Sequence, residues 1–187
     1  MKKLLREDVK YIVVHCAATR PSMNWGAEDI DRLHRNFGWS AIGYHWVIRR
    51  DGQLEMGRPL NVPGAHASRQ NHHSIGICMV GGVNEDDVTI AENNFTVQQF
   101  ATLHRLLDSM EDMFPTSETL GHRDLPNVHK ACPSFDVRSW RLREGGHQVQ
   151  NHHDRLEEPN DVELEGAENS DSDDAGAVRS RLAGPER

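Results

Sequence analysis

The chain has 187 residues and a formal net charge of −8, and only 36% of its residues are hydrophobic. That length holds one domain of ordinary size, and the low hydrophobic content predicts that part of the chain stays outside its core. The charge is unevenly distributed, because residues 154–187 carry eleven acidic and four basic residues, a net of −7 that leaves −1 for residues 1–153. The nearly neutral body argues against a protein that binds nucleic acid directly, since such proteins carry a basic excess.

The N-terminal residues and the cysteines indicate the compartment. Residues 1–10 (MKKLLREDVK) lack the apolar run of a signal peptide, and no segment approaches the roughly 18 apolar residues of a membrane span. The three cysteines, Cys16, Cys78 and Cys132, cannot all pair, and reduced thiols fit a protein made in a cytosol. We therefore expect a soluble protein without membrane insertion or an export signal of its own.

The first predicted element is a buried strand over the apolar run Tyr11–Val14, which ends at His15. Side chains alternate along a strand, so His15 and Cys16 are predicted to point to opposite faces. If His15 faces a functional site, Cys16 should face the core.

A helix and a hairpin are predicted next. The segment Ala27–Gly38 has acidic residues in its first turn and a glycine at its end, and its apolar face is formed by Ile30, Leu33 and Phe37. Two strands, Tyr44–Arg49 and Gln53–Met56, flank the dipeptide Asp51-Gly52, which is a strong signal for a hairpin turn.

The middle of the chain contains a polar loop and an apolar strand. Residues 61–73 are rich in His, Asn and Gly without periodicity, which is as typical of a solvated loop as of a binding loop. The continuous apolar run Ser74–Val80 predicts a strand in the middle of a sheet.

The longest helix is predicted to begin at Thr96, because Gln99 three residues later completes a capping box. Its apolar stripe consists of Phe100, Leu103, Leu107, Met110 and Phe114. A short strand at 119–121 follows, and Ser134 is predicted to cap a last helix that ends at Arg143. Residues 141–187 contain no aromatic residue, so we predict a folded domain over 1–143 and a disordered acidic tail over 144–187.

The segment 121–136, GHRDLPNVHKACPSFD, contains the most reactive combination of side chains. Pro133 disfavours helical backbone at Cys132, so the side chains of Lys130 and Cys132 are predicted to lie on the same side of an extended segment. An imidazole from His122 and a thiolate from Cys132 are two of the three protein ligands of a catalytic zinc site. His15 is the candidate third ligand, although a histidine at the end of a strand is more often structural.

Five segments, in order, carry a resemblance to a known family: VVHCAAT (13–19), GWSAIGYHWVIRRDGQLEMGRP (38–59), GAHAS (64–68), NHHSIGICMVGG (71–82) and GHRDLPNVHKACPSFDV (121–137). Together they resemble the zinc-dependent N-acetylmuramoyl-L-alanine amidases of type 2, whose fold is shared with the peptidoglycan-recognition proteins. The likeness is greatest to the short phage lysozymes of this kind. It covers about residues 9–143, and it implies an α/β fold with a mixed central sheet of about five strands and helices on both faces.

The resemblance also implies roles for individual residues. His15, His122 and Cys132 match the zinc ligands, and Tyr44 and Lys130 match the two residues that act in catalysis beside the metal. His66 and Asn71 match positions that contact substrate. The implied reaction is hydrolysis of the amide between N-acetylmuramic acid and L-alanine in peptidoglycan, and Cys132 argues against a receptor that binds peptidoglycan without cleaving it.

The same resemblance implies the biological setting. We expect a monomeric phage endolysin that is made in the host cytoplasm and reaches the wall through a separate membrane-permeabilising protein. Some phage lysozymes of this type also bind the RNA polymerase of their phage, and residues 2–10 or the acidic tail are candidate surfaces for that partner.

Overall fold

The computed structural model describes residues 3–143 of the chain. Its strands are β1 (Tyr11–Cys16), β2 (Trp46–Ile48), β3 (Leu54–Met56), β4 (Ser74–Met79) and β5 (Glu118–Gly121). These five strands form one sheet in the order β3-β2-β4-β1-β5. The pair β2 and β3 is antiparallel and the other neighbouring pairs are parallel, which confirms the predicted mixed sheet. The predicted tail over 144–187 lies outside the described residues.

The apolar strand β4 lies in the middle of the sheet, as predicted, and all six of its residues are buried. A strand with parallel neighbours on both sides must be covered on both faces, which explains why its sequence is apolar without alternation. Ile75 and Ile77 pack in the larger hydrophobic cluster, whereas Cys78 packs in the cluster on the opposite face.

The helix α2 (Val97–Met113) covers the first of these faces and begins with the predicted capping box. The Thr96 hydroxyl accepts a hydrogen bond from the Gln99 backbone N–H, and the Gln99 side chain accepts one from the Thr96 N–H, each at 3.1 Å. The Gln99 amide also donates to the carbonyl oxygens of Ile48 and Val80, at 3.1 and 2.9 Å. These bonds fix the start of α2 against the ends of β2 and β4.

The helix α1 (Ala27–Asn36) covers the opposite face, where Ile30 is buried against Val47 and Cys78. The prediction that Phe37 belongs to its apolar face was wrong, because the helix ends one residue earlier and Phe37 is 63% exposed. His34 takes the inner position instead, and its Nδ1 accepts a hydrogen bond from the Gly43 N–H at 2.9 Å.

A last helix, α3, spans residues 137–143. The prediction that Ser134 caps it was wrong, because the Ser139 N–H donates to the Asp136 carboxylate at 2.9 Å and the Ser134 hydroxyl donates to the Gly82 carbonyl at 2.6 Å. None of the helices in the described part of the chain has the length and apolar content that a membrane span requires.

Candidate metal centre

Two histidines come together because they follow neighbouring parallel strands. His15 lies near the end of β1, and His122 comes directly after β5. Val14 is paired with Gly121, so the next residue of each strand emerges at the same edge of the sheet. The imidazole centroids of His15 and His122 are 4.5 Å apart. The carboxyl edge of parallel strands is where sites commonly form in α/β sheets, which fits this placement.

Cys132 reaches the two histidines from the loop that follows β5. Its Sγ lies 3.8 Å from the His15 Nδ1 and accepts a hydrogen bond from the Cys16 backbone N–H at 3.3 Å. The Arg123 N–H donates to the Cys132 carbonyl and holds the loop in place. One ligand atom each from His15, His122 and Cys132 lies within 4.8 Å of the other two. The structure therefore brings the three predicted ligands together.

Cys16 is buried with the core residues, as predicted. Its backbone N–H donates to the Cys132 sulfur at 3.3 Å, and its own Sγ would lie 2.9 Å from a Cβ placed on Gly82. Cys16 therefore also forms part of the wall around Cys132.

Electrostatics in the site favour uncharged imidazoles. Burial, with smaller contributions from His66, His122 and Lys130, holds the pKa of His15 well below its ordinary value. Burial and Lys130 likewise lower the pKa of His122. A neutral imidazole is the form that binds a metal ion, so both side chains are ready to act as ligands near neutral pH.

The thiol of Cys132 behaves differently. Its hydrogen bond with Cys16 and its burial raise the pKa of Cys132 above the ordinary value in the metal-free chain. Coordination requires the thiolate, so binding of a metal ion at this sulfur would release a proton. Two imidazole nitrogens and one thiolate sulfur form a donor set that suits zinc, and the three side chains present fit that ion.

Tyr44 lies beside the centre, although not within a strand as the sequence predicted. Strand β2 begins two residues later, so Tyr44 belongs to the irregular segment before it. Its ring centroid is 5.2 Å from that of His15 and 5.6 Å from that of His34. Burial, followed by the neighbouring cysteines, raises the pKa of Tyr44 well above its ordinary value. The phenol is therefore neutral in the metal-free chain.

A groove of about 620 Å³ opens beside His122 and Lys130. Its lining consists of Trp39, residues 65–71, His122 and residues 125–130. Lys130 is exposed at its rim, and its charge lowers the pKa of both His15 and His122. The predicted cation is therefore close to the metal centre and also faces the open groove.

The two predicted substrate contacts, His66 and Asn71, both line this groove. The Asn71 Oδ1 accepts hydrogen bonds from the backbone N–H groups of His66 and Ala67, each at 2.9 Å, and so braces the loop. The His66 Nδ1 lies 3.0 Å from the His15 Nε2. Both residues have internal partners, and contact with substrate stays a prediction for each.

Other groove residues were not predicted from the sequence, namely Trp39, Arg69, Asn127 and His129. Arg69 and Asn127 have φ angles of 66° and 62°, which residues other than glycine seldom adopt. Such backbone is enriched at functional sites. Asn127 follows Pro126, a sequence signal for a turn that could have drawn attention to this wall.

Comparison with known proteins shows which family and which relatives the chain is similar to. The family described as N-acetylmuramoyl-L-alanine amidase matches residues 5–135. The endolysins of Enterobacteria phage T3 and Escherichia phage T7 are each 42% identical to the chain over 135 residues, which is 72% of this chain and 87% of each relative. The endolysin of Klebsiella phage KP32 is 38% identical over the same shares.

Solved structures show the same architecture. The N-acetylmuramoyl-L-alanine amidase LysC from Clostridium intestinale superposes with a TM-score of 0.61 at 29% identity, over 75% of this chain and 86% of that one. The endolysin of the Thermus scotoductus bacteriophage Ph2119 gives a TM-score of 0.60 at 24% identity, over 73% and 84% of the two chains, and supports the fold alone.

Proposed function

The chain belongs to the N-acetylmuramoyl-L-alanine amidase family, and we propose that its amidase centre is a zinc ion held by His15, His122 and Cys132. The reaction is hydrolysis of the amide that joins N-acetylmuramic acid to L-alanine in peptidoglycan. The observation that carries the proposal is the convergence of these three ligand atoms within 4.8 Å beside an open groove. When bound, zinc supplies a Lewis acid that polarises the amide carbonyl and makes water a stronger nucleophile.

Lys130 stabilises the charge that develops during attack. As the carbonyl carbon becomes tetrahedral, its oxygen becomes negative, and a cation already in place stabilises this state more than the ground state. Lys130 lines the groove together with His122, and its charge acts on both His15 and His122, which supports this role. Lys130 therefore raises the rate of the chemical step more than it strengthens binding.

Tyr44 orients the attacking water and the leaving nitrogen. Burial raises the pKa of Tyr44, so the phenol is neutral in the metal-free chain. A neutral phenol can both accept and donate a hydrogen bond, so it can position the water without ionising. Its ring lies 5.2 Å from that of His15, one of the three proposed ligands.

The groove suits the stem peptide that carries the scissile bond. Arg69 and Lys130 give its lining two cations, and none of the lining residues is acidic. Stem peptides carry carboxylates, which would be attracted to these side chains. The peptide would lie in the groove between residues 65–71 and residues 125–130.

Lysis of a bacterial host is the setting in which this activity would be used. The relatives from phages T3 and T7 are named endolysins. We propose that the chain accumulates in the host cytoplasm and gains access to the wall when a separate protein permeabilises the membrane. Binding of phage RNA polymerase through residues 2–10 or the tail stays a prediction, and a pull-down with and without residues 1–9 tests it.

Mass spectrometry of digested, purified peptidoglycan tests the reaction. We expect glycan strands with free lactyl carboxylates and stem peptides with a free N-terminal alanine. A chelator should abolish these products, and added zinc should restore them. Cleavage within the glycan or between peptide residues would contradict the assigned bond, and full activity after complete removal of metal would contradict the zinc site.

A further inference from the structure

We infer that His66 is a positioning residue that fixes the tautomer and ring orientation of His15, so that the His15 Nδ1 presents its lone pair to the metal. This inference rests on the proposed zinc site, because it concerns one of the three ligands. It assigns His66 a role behind the ligand that is separate from the predicted contact with substrate.

The two nitrogens of His15 face different partners. The Nδ1 faces the Cys132 sulfur at 3.8 Å, whereas the Nε2 faces the His66 Nδ1 at 3.0 Å. A neutral imidazole carries one proton, so the proton must lie on Nε2 if Nδ1 is to bind a metal ion. With the proton on Nε2, His15 also becomes the donor in its contact with the His66 Nδ1.

The surroundings of His66 favour the tautomer that can accept this hydrogen bond. Its Nε2 lies 3.5 Å from the Ser74 hydroxyl oxygen, and that hydroxyl donates its own proton to the Gln70 carbonyl at 2.8 Å. The Ser74 oxygen is therefore left as an acceptor and favours a proton on the His66 Nε2. The His66 Nδ1 is then unprotonated and can accept a hydrogen bond from His15. Each donor in this chain therefore points away from the metal centre, and the last one, the Ser74 hydroxyl, donates to the Gln70 carbonyl.

Two glycines keep the His66 ring in place. A Cβ at Gly64 would lie 2.4 Å from the His66 Cδ2, and a Cβ at Gly76 would lie 2.5 Å from the same atom. Real Cβ atoms do not approach other atoms so closely, so only glycine at these positions leaves room for the ring. Gly76 belongs to the central strand β4, so the His66 ring packs against backbone in the middle of the sheet.

Partners of this kind have a known effect on metal sites. The second nitrogen of a metal-binding histidine almost always has a hydrogen-bond partner, and loss of that partner typically weakens metal affinity 10- to 100-fold. A neutral imidazole is a weaker acceptor than a carboxylate. We therefore expect an effect near the lower end, about tenfold.

Zinc affinity, measured on the full chain by competition with a chelator, tests the inference. His66→Leu should raise the zinc dissociation constant about tenfold. His66→Asn should recover part of the affinity, because its amide oxygen lies about where the Nδ1 was. His72→Ala is the matched control, since His72 lies in the same loop but is exposed and does not line the groove. Unchanged affinity in His66→Leu would overturn the inference while the zinc site stands.

A second measurement does not depend on metal. Nitrogen-15 chemical shifts of the zinc-free wild-type chain report which imidazole nitrogen carries the proton. We expect His15 with a protonated Nε2 and a bare Nδ1, and His66 with the same tautomer. A proton on the His15 Nδ1 would overturn the inference, whether or not the chain is later found to bind zinc.

Discussion

His45 shows how one buried side chain makes the stability of this protein depend on pH. The residue is fully buried, its Nδ1 accepts from the Gly76 N–H at 2.9 Å, and its Nε2 lies 3.0 Å from the Val62 carbonyl. The first bond needs a bare Nδ1, so the ring is neutral and donates through Nε2. Burial is the main reason that the pKa of His45 falls to about 4.

This shift predicts a loss of stability in acid. Above pH 6.5 His45 is neutral in both the folded and the unfolded chain, and its contribution to the free energy of unfolding is fully present. Between pH 6.5 and about 4 only the unfolded chain gains the proton, which costs up to about 3 kcal/mol of unfolding free energy. Denaturant unfolding at several pH values should show a shallower decline for His45→Gln than for the wild type. Equal slopes would contradict the assignment.

Lys130 should affect turnover without affecting the metal. We expect Lys130→Met to lower kcat on the order of 10²-fold, because the developing oxyanion loses its cation. Zinc content should change little, since Lys130 is exposed and is not among the three ligands, and kcat should fall by a larger factor than KM rises. Kinetic measurements on soluble peptidoglycan fragments, together with metal analysis of the variant, test this prediction. A variant that loses zinc in proportion to activity would show that Lys130 supports the site instead.

At the scale of elements, hydrogen bonds at the start of α2 connect this helix to the sheet. Gln99 is fully buried and bonds to Thr96, Ile48 and Val80, so its amide completes the capping box and satisfies two strand-end carbonyls. The Thr96 hydroxyl makes a simpler contribution, since it accepts from the Gln99 N–H and donates to the Arg50 carbonyl.

We predict different costs for changes at these two residues. Thr96→Ala should lower the free energy of unfolding by about 1 kcal/mol, the usual cost of a lost cap. Gln99→Leu should cost more than about 2 kcal/mol, because it leaves the buried Val80 carbonyl without its donor and also removes the bonds to Ile48 and Thr96. Gln98→Leu is the control, since Gln98 is exposed in the same turn. Denaturant unfolding measures the free energy of unfolding of all three variants. Equal effects of the two glutamine variants would contradict the proposed role of Gln99 in connecting α2 to the sheet.

The elements were largely predictable because their signals are local. The capping box placed α2, and the continuous apolar run placed β4 in the middle of the sheet. The errors fall at element ends. Phe37 lies just beyond α1 and is exposed, and Ser134 turns to Gly82 instead of capping α3. At these positions long-range contacts decide the outcome, and periodicity does not describe them.

In the functional site, too, some features were predictable from the sequence and others were not. Residue types and the family resemblance identified His15, His122 and Cys132, which the fold then brings together. The contact between His15 and His66 joins positions 51 residues apart and depends on the packing of a loop over β4. No spacing rule reports such a contact, which is why His66 was predicted only as a substrate residue.

At the scale of the whole molecule, the described residues contain every proposed catalytic group. His15, Tyr44, His122, Lys130 and Cys132 all lie within residues 3–143. We therefore expect a chain that ends at Arg143 to retain the kcat and KM of the full chain on peptidoglycan fragments. Kinetics on both lengths at equal zinc content make the comparison, and a large loss in the shorter chain would assign the tail a part in catalysis.

The proposed amidase activity depends on a single metal ion held by two imidazoles and one thiolate. The decisive measurement is zinc content, determined together with amidase activity, in the wild type, Cys132→Ser and the control His72→Ala. We predict one zinc ion per chain and full activity in the wild type and the control, and loss of both in Cys132→Ser. A Cys132→Ser chain that is folded, free of zinc and still active would contradict the account.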